Sequence, residues 1–340
     1  MDSLKRLRFI SKLLLSKSKS YLKKKPSLLV IDYAQPSHLT EISNFNITYI
    51  SSLKSRVIEA KLWAITPITE LNKKYDYVII TVPKTREEAL FKIALGYKHT
   101  KTYGTLIVEG EKRVGINYVI KDLAQIVSIS SVIAKAHGKI AIIDKEPKNH
   151  NLFAKWLALG EARLNRDGFF STAGLFSYKK VDAASQFLSE AFNELGLTGD
   201  ILDLGGGWGF LSSKALSDCL GVSSVTILDN DLRAIQAAKL NIKSPKATFK
   251  WMHVEETMLC KTKFDTILCN PPFHYGREKD IKLGLLFIDV SANLLKKNGN
   301  LLMVANLHLP YERQIAKQFK KYTQVKANKN YKIILANYPK

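Results

Sequence analysis

Ile201-Leu-Asp203-Leu-Gly205-Gly-Gly207-Trp208-Gly209-Phe210 is the stretch that decides the fold. Its apolar start reads as a buried strand, its glycines as a tight turn, and Phe210 onward as a helix. Glycines at such a turn let the backbone approach a ligand closely, and the helix start offers unpaired N–H groups. Dinucleotide-binding folds use the same device. Here, however, the G-x-G-x-x-G spacing counted from Gly205 puts Phe210 at the third glycine, so that fingerprint fails. Asp203, Gly205 and Gly207 are the candidate cofactor-binding residues of this turn.

Outward from the turn, strand and helix signals alternate. After a helix over 210–220 come a strand at 224–228, a helix at 232–241 and short strands at 247–252 and 266–269. A helix over 281–295, a strand at 300–305, a helix over 311–322 and a last strand at 331–336 complete the half. Short connections between alternating elements predict a parallel, doubly wound sheet. The second strand ends at Asp229, which sets a carboxylate at the switch-point crevice where ribose hydroxyls are held. The other reading of Asp229 is a cap for the next helix, a job that Asn230 or Asp231 can also do.

The first half repeats part of this pattern. Tyr75-Asp76 through Pro83 lies over Phe264-Asp265 through Pro272, with the final proline seven residues after the aspartate in both. A helical stretch and a glycine-led strand follow each, beginning at Gly104 and at Gly299. Internal duplication explains this better than chance. The first copy lacks a glycine-rich turn, its early strand running Leu28-Leu-Val-Ile-Asp32, and it lacks the later copy's Asn-Pro-Pro triplet. It reads as a degenerate domain over 1–160 that binds RNA or steadies the fold, ahead of a catalytic domain over 165–340.

The net charge of +22 is shared between the halves. Residues 1–150 hold 26 Lys+Arg against 13 Asp+Glu, and residues 151–340 hold 26 against 17. A basic excess spread over both halves predicts a polyanionic partner; a generally lysine-rich proteome is the alternative. Cys219, Cys260 and Cys269 have neither disulfide nor zinc spacing, which fits a reducing compartment and no metal. No apolar run reaches the length of a spanning helix. The basic, amphipathic segment 1–25 reads as the first helix of a basic domain laid on RNA, with a mitochondrial presequence as the alternative.

Asn270-Pro271-Pro272-Phe273 at the end of the fourth strand is the most specific element. The lone pair of an exocyclic purine amine is delocalised into the ring, so the nitrogen is a poor nucleophile. Two acceptors that hold both amine hydrogens while letting the nitrogen pyramidalise restore that lone pair. The Asn270 side-chain oxygen and the Pro271 carbonyl can supply them. The tandem prolines stiffen the loop and remove N–H donors, and Phe273 offers a stacking face for a base lifted from its helix.

Together the Asp-x-Gly-x-Gly-x-Gly turn, Asp229 and Asn270-Pro-Pro-Phe273 resemble the amino-methylating class I methyltransferases. With His274, Val304-Ala-Asn306 and Leu309-Pro310-Tyr311 they are similar to the ribosomal RNA guanine-N2 methyltransferase family, on its small-subunit side. Gly174-Leu-Phe176 through Asp182-Ala-Ala-Ser185-Gln186 resembles the family segment that folds over the cofactor. Gly110-Glu-Lys-Arg113-Val-Gly115 resembles part of its degenerate domain. The resemblance implies two tandem Rossmann-like methyltransferase domains, S-adenosylmethionine as cofactor, and ribosomal RNA or a ribosomal subunit as partner. With the cysteine spacing and the lack of long apolar runs, the chain reads as a cytoplasmic monomer without metal or membrane attachment. Phe176, Asp182, Asp203, Gly205, Gly207, Asp229, Asn230 and Asn270 become its candidate cofactor residues, and Asn270, Pro271, Pro272 and Phe273 its candidate catalytic ones.

Two positions depart from that pattern. Where relatives place Asp or Asn against the adenine amine, this chain has His253, or Glu255 in a slipped register, with the Val254 backbone as a further contact. Trp208 is bulkier than the family's usual residue and reads as pointing inward. His274 has no derivable role, and Lys332 reads either as reaching RNA or as a solvated strand end. The weighed alternatives are a large-subunit guanine-N2 enzyme, a protein glutamine N-methyltransferase, and a non-catalytic RNA-binding assembly factor.

Overall fold

The computed structural model describes residues 2–17, 25–147, 153–272 and 278–340. They form two compact units, Met1–Glu161 and Ala162–Lys340. The first contains α1 (Asp2–Lys17), β1 (Ser27–Ile31), β2 (Asn46–Ile50), α2 (Lys54–Leu62), β3 (Thr66–Ile68), β4 (Tyr75–Thr81) and α3 (Arg86–His99). It continues with β5 (Thr100–Glu111), α4 (Ile116–Ala124), β6 (Ser131–Lys135), β7 (Gly138–Asp144) and α5 (Ala154–Leu157). The second opens with the short hairpin β8 (Arg163–Leu164) and β9 (Phe170–Ser171), then α6 (Ala183–Ser189), α7 (Phe192–Leu195), β10 (Gly199–Leu204), α8 (Phe210–Asp218), β11 (Val222–Asp229) and α9 (Leu232–Asn241). It ends with β12 (Ala247–Trp251), β13 (Phe264–Cys269), α10 (Glu278–Leu294), β14 (Leu295–Asn306), α11 (Glu312–Gln318), β15 (Phe319–Ala327) and β16 (Tyr331–Pro339).

Each unit is built on a seven-stranded sheet, and the two sheets share one topology. The orders are β3-β2-β1-β4-β5-β7-β6 and β12-β11-β10-β13-β14-β16-β15. In both, five strands run parallel and the last two add antiparallel. The near-continuous apolar runs of β1, β4, β10 and β13 reflect burial on both faces under helices. In the second unit one face carries Ile201, Ile227 and Leu268 against α6, α8 and α9. The other carries Leu202, Ile267 and Met303 against α10 and α11.

Most element boundaries fall within a few residues of expectation, but the predicted helix over 311–322 does not. Its helix stops at Gln318, and Phe319 to Ala327 form β15, the edge of the sheet. Lysines on both faces of this exposed edge strand erase the alternation that marks a half-buried strand. The N-terminal helix packs Leu7, Ile10 and Leu14 into the core of the first unit. Its Arg6 is 1 % exposed and ion-paired with Glu109, which is equally buried. This side of α1 therefore belongs to the interior, not to an RNA-facing surface.

Candidate active site

Register brings the candidate residues together. Leu204 pairs with Leu228 on one side and with Cys269 on the other. The chain therefore leaves three adjacent strands at Gly205, Asp229 and Asn270, side by side at strand spacings of about 4.8 Å. This is the carboxyl end of the sheet at its switch point, where open α/β sheets bind ligands.

The glycine turn is packed below and open above. Gly205, Gly207 and Gly209 have φ of 74°, 56° and 88°, a region that penalises any side chain. A Cβ on Gly206 would collide with the Asp203 carboxylate and with Ile227, whereas one on Gly207 would meet nothing within 4 Å. Asp203 is 1 % exposed and lies beneath the turn. Its Oδ2 accepts from the Ser212 N–H (3.1 Å) and hydroxyl (2.6 Å), so it anchors the start of α8 to the strand. Burial pushes it up to about 6 against the pull of those bonds.

Asp229 faces the turn. Its Oδ2 accepts from Gly207 N at 2.9 Å and its Oδ1 from Asp231 N at 2.7 Å. Burial pushes it up to about 6 as well, with the Asp231 charge adding to the rise and both N–H bonds opposing it. The cap of α9 is Asp231, whose side chain accepts from Arg233 N. Asn230 gives its carbonyl to the Trp251 indole N–H at 2.9 Å. The His253 N–H donates to Glu256, and Val254 is buried in the core.

Asn270 is the most constrained of these side chains. Its amide nitrogen donates to Asp182 Oδ2 (3.0 Å) and to Ser185 Oγ (2.8 Å). Its Oδ1 is buried and has no hydrogen-bond partner among the described residues. Pro271 is buried and Pro272 exposed. Phe273 and His274 lie outside the described residues.

Trp208 points inward, 5 % exposed, with its ring against Phe169 and Phe210. Its indole N–H donates to the Phe176 carbonyl at 3.2 Å, which ties the glycine turn to the segment before α6. The Phe176 side chain is itself 61 % exposed. Lys332 fits neither reading given to it from sequence. It is 4 % exposed, paired with Glu312, and donates to the Leu309 carbonyl at 2.8 Å. Ser185 has no role assignable from residue type alone. The available signal is its position three residues after Asp182, which makes it the partner of an N-cap.

The corresponding corner of the first unit is built differently. Asp32 N donates to Ile50 O at 2.9 Å, as Gly205 N does to Leu228 O at 2.9 Å, and both residues have positive φ. Asp32 thus stands where Gly205 stands, and Ser51 where Asp229 stands. The Asp32 carboxylate accepts from Ser51 Oγ (2.5 Å), pairs with Lys92 (2.8 Å) and lies 3.7 Å from Arg56. Lys92 also pairs with Glu88. Burial alone would raise Asp32, but Lys92, Ser51 and Arg56 together hold it below the usual carboxylate range.

Two family profiles match the chain: "Methyltransferase small domain N-terminal" over residues 11–144 and "Methyltransferase small domain" over residues 167–335. The ribosomal RNA small subunit methyltransferase C of Psychromonas ingrahamii is 27% identical over 309 residues, covering 85% of each chain. The protein of the same name from Shewanella pealeana is 29% identical over 263 residues, covering 76% of each. Among solved structures, the T. thermophilus 16S rRNA N2 methyltransferase, in complex with AdoMet and guanosine, superposes with a TM-score of 0.78 at 21% identity. That match covers 97% of this chain and 91% of the other.

Proposed function

This chain belongs to the methyltransferase small-domain family, and from that premise we propose that it methylates the exocyclic N2 amine of a guanine in small-subunit ribosomal RNA, using S-adenosylmethionine. The observation that carries the reading is the Asn270 side-chain oxygen, buried without a partner among the described residues, beside an amide nitrogen that is fully engaged. A buried, unsatisfied acceptor costs about 1–3 kcal/mol. An incoming amine donor relieves that cost, which is how binding at this point favours an –NH2 group over a carbonyl.

The residues present fit the cofactor. The open space above Gly207 supports a cofactor there, with the Asp229 carboxylate beside the turn as the acceptor for ribose hydroxyls. Asn230, His253 and Val254 follow the strand ends where the adenine end would lie, with Phe176 on the preceding segment. When bound, S-adenosylmethionine supplies an electrophilic methyl group.

The rest of the chemistry falls to the protein's own groups. Asn270 Oδ1 and the Pro271 carbonyl accept the two amine hydrogens and let the nitrogen pyramidalise, which frees its lone pair. No residue need remove a proton beforehand, because the nitrogen becomes acidic only as it gains its fourth bond. Pro271 and Pro272 offer no N–H to compete for those acceptors. Phe273 serves as the stacking face for the base.

The second unit is then the catalytic domain, and the first, with its filled corner, a degenerate copy that grips RNA or steadies the fold. The excess of basic residues in both halves supports RNA as the partner over a protein glutamine. The proposed setting is a cytoplasmic monomer acting on ribosomal RNA or a ribosomal subunit. Among the described residues no helix is long and apolar enough to cross a membrane, and no cluster of His, Cys, Asp or Glu is suited to a metal ion.

The test is to incubate the purified chain with labelled S-adenosylmethionine and unmodified ribosomal RNA or subunits, then digest to nucleosides. The expected product is N2-methylguanosine at one position of small-subunit RNA. Label in another base, in large-subunit RNA or in protein alone would overturn the proposal.

A further inference from the structure

We propose that Asp182 and Ser185 are positioning residues for the amine-binding step: they fix which face of the Asn270 amide meets the substrate. This rests on the proposed function and reassigns Asp182, which resemblance alone would make a cofactor contact.

The argument is one of donor and acceptor inventory. An asparagine side chain has an accepting end and a donating end, and only its neighbours decide which way it lies. A target –NH2 group needs the accepting end. With the amide reversed, two N–H groups would face the two amine hydrogens and repel them. An ionised carboxylate can only accept. Asp182 Oδ2, 3.0 Å from the Asn270 nitrogen, therefore forces the –NH2 toward itself and turns Oδ1 the other way. Ser185 Oγ takes the second amide hydrogen at 2.8 Å. Both donor sites are filled from the α6 side, and the acceptor is left buried and, among the described residues, unpartnered.

Asp182 has a second task. The same Oδ2 accepts from Ser185 N at 3.0 Å and caps α6. A merely structural role for Asp182 would be this cap, and the two tasks separate by side-chain length. Serine, asparagine and aspartate cap helices about equally well. The Asp182→Ser variant would keep the cap, but its hydroxyl is too short to reach Asn270. In Asp182→Asn the side chain can hold an oxygen at the Oδ2 position and serve both partners.

The experiment measures kcat, RNA KM and cofactor Kd for Asp182→Ser, Asp182→Asn and Ser185→Ala, with thermal unfolding as the check on the cap. Expected for Asp182→Ser is a kcat lowered by roughly 10- to 100-fold, as for other misplaced catalytic groups, with unchanged unfolding and cofactor Kd. Asp182→Asn should recover most of the rate, and Ser185→Ala should fall between the two. A second readout needs no turnover. In the unliganded wild-type protein the Asn270 side-chain NH2 should exchange slowly with water by NMR, and in Asp182→Ser it should exchange fast.

Parental kcat in Asp182→Ser overturns the proposal. So does a loss that saturating cofactor restores, which would make Asp182 a cofactor ligand. An equal loss in Asp182→Asn also overturns it, because that variant keeps the acceptor. If the wild-type chain fails to methylate guanine, the functional reading falls, while the exchange measurement still decides the positioning claim.

Discussion

Replacing Asp229 by Asn should both weaken S-adenosylmethionine binding and abolish its pH dependence. In the free protein burial holds this carboxyl at about 6. Ribose hydroxyls donate to the ionised form and favour it, so the bound carboxyl falls back toward its ordinary value. Binding then releases a proton between roughly pH 4 and 6, and affinity must tighten as pH rises through that window. At pH 5 about ten in eleven free molecules are protonated, so Kd should be about tenfold weaker than at pH 7, equivalent to roughly 1.4 kcal/mol. The Asn variant loses this slope. It also has one oxygen to share between Gly207 N and Asp231 N, both of which the aspartate satisfies. Losing the charge-assisted bond from a ribose hydroxyl costs about 1.5–3 kcal/mol, or roughly a 10- to 150-fold rise in Kd at pH 7. Titration calorimetry at pH 5, 6 and 7, in two buffers of different protonation enthalpy, reads affinity and proton release together. A wild-type Kd flat across this range, or an Asn variant that keeps the same slope, would refute the reasoning.

Asn270→Ala should lower kcat by about two to three orders of magnitude with cofactor Kd within a few-fold, since one electrostatic contact to the reacting group is lost; parental turnover would show that this loop is not the site. Asp203 loads stability onto low pH. Its raised folded value means that its contribution is complete below about 4 and lost as pH rises through about 6, so Asp203→Asn should flatten that decline in urea melts and be worth about 3 kcal/mol at neutral pH. Arg6→Met leaves the Glu109 carboxylate buried without its cation and should cost about 3–5 kcal/mol in urea unfolding, much of it recovered by adding Glu109→Gln. The turn joining β6 and β7 places Ala136 and His137 at φ of 45° and 52°. The double change Ala136→Asn with His137→Gly puts an Asn-Gly pair in this two-residue hairpin and should raise stability by about 1 kcal/mol, which an unchanged unfolding midpoint would contradict.

The repeated strand–helix alternation was legible because central parallel strands are apolar on both faces, and a run such as Ile201-Leu202 or Ile267-Leu268 is hard to misread. β15 was not legible, because Lys320, Lys321 and Tyr322 lie on an exposed edge where neither face demands apolar residues. At the candidate site, residue types singled out Asp229 and Asn270 but not the direction of each side chain. Asp203 sits two residues before Gly205 on the same strand end, yet its carboxylate is 1 % exposed beneath the turn and bonds Ser212. Resemblance placed Asp182 with the cofactor, whereas its contacts in the fold are Asn270 and the start of α6. That pairing joins residues 88 apart, a closeness that only the folded chain reveals. Lys332 carries the same lesson in reverse, a lysine near a strand end whose ammonium is buried on Glu312.

The ion cluster at Asp32 bears on how the first domain could evolve from here. Gly205 and Asp32 occupy one corner of two sheets that share a topology, and in the first unit that corner is closed with charge. Removing Lys92 alone would take from the buried Asp32 and Glu88 carboxylates the ammonium they share, and removing Asp32 alone would leave Lys92 on Glu88 with one of its two carboxylates gone. Breaking a buried pair from one side costs about 3–5 kcal/mol, a large part of what an ordinary domain has in reserve. Each single step toward a glycine turn at this corner therefore costs stability before any ligand could return it. The cluster acts as a latch on this corner: opening it toward a glycine turn without a loss of stability takes a change at Asp32 and at Lys92 together.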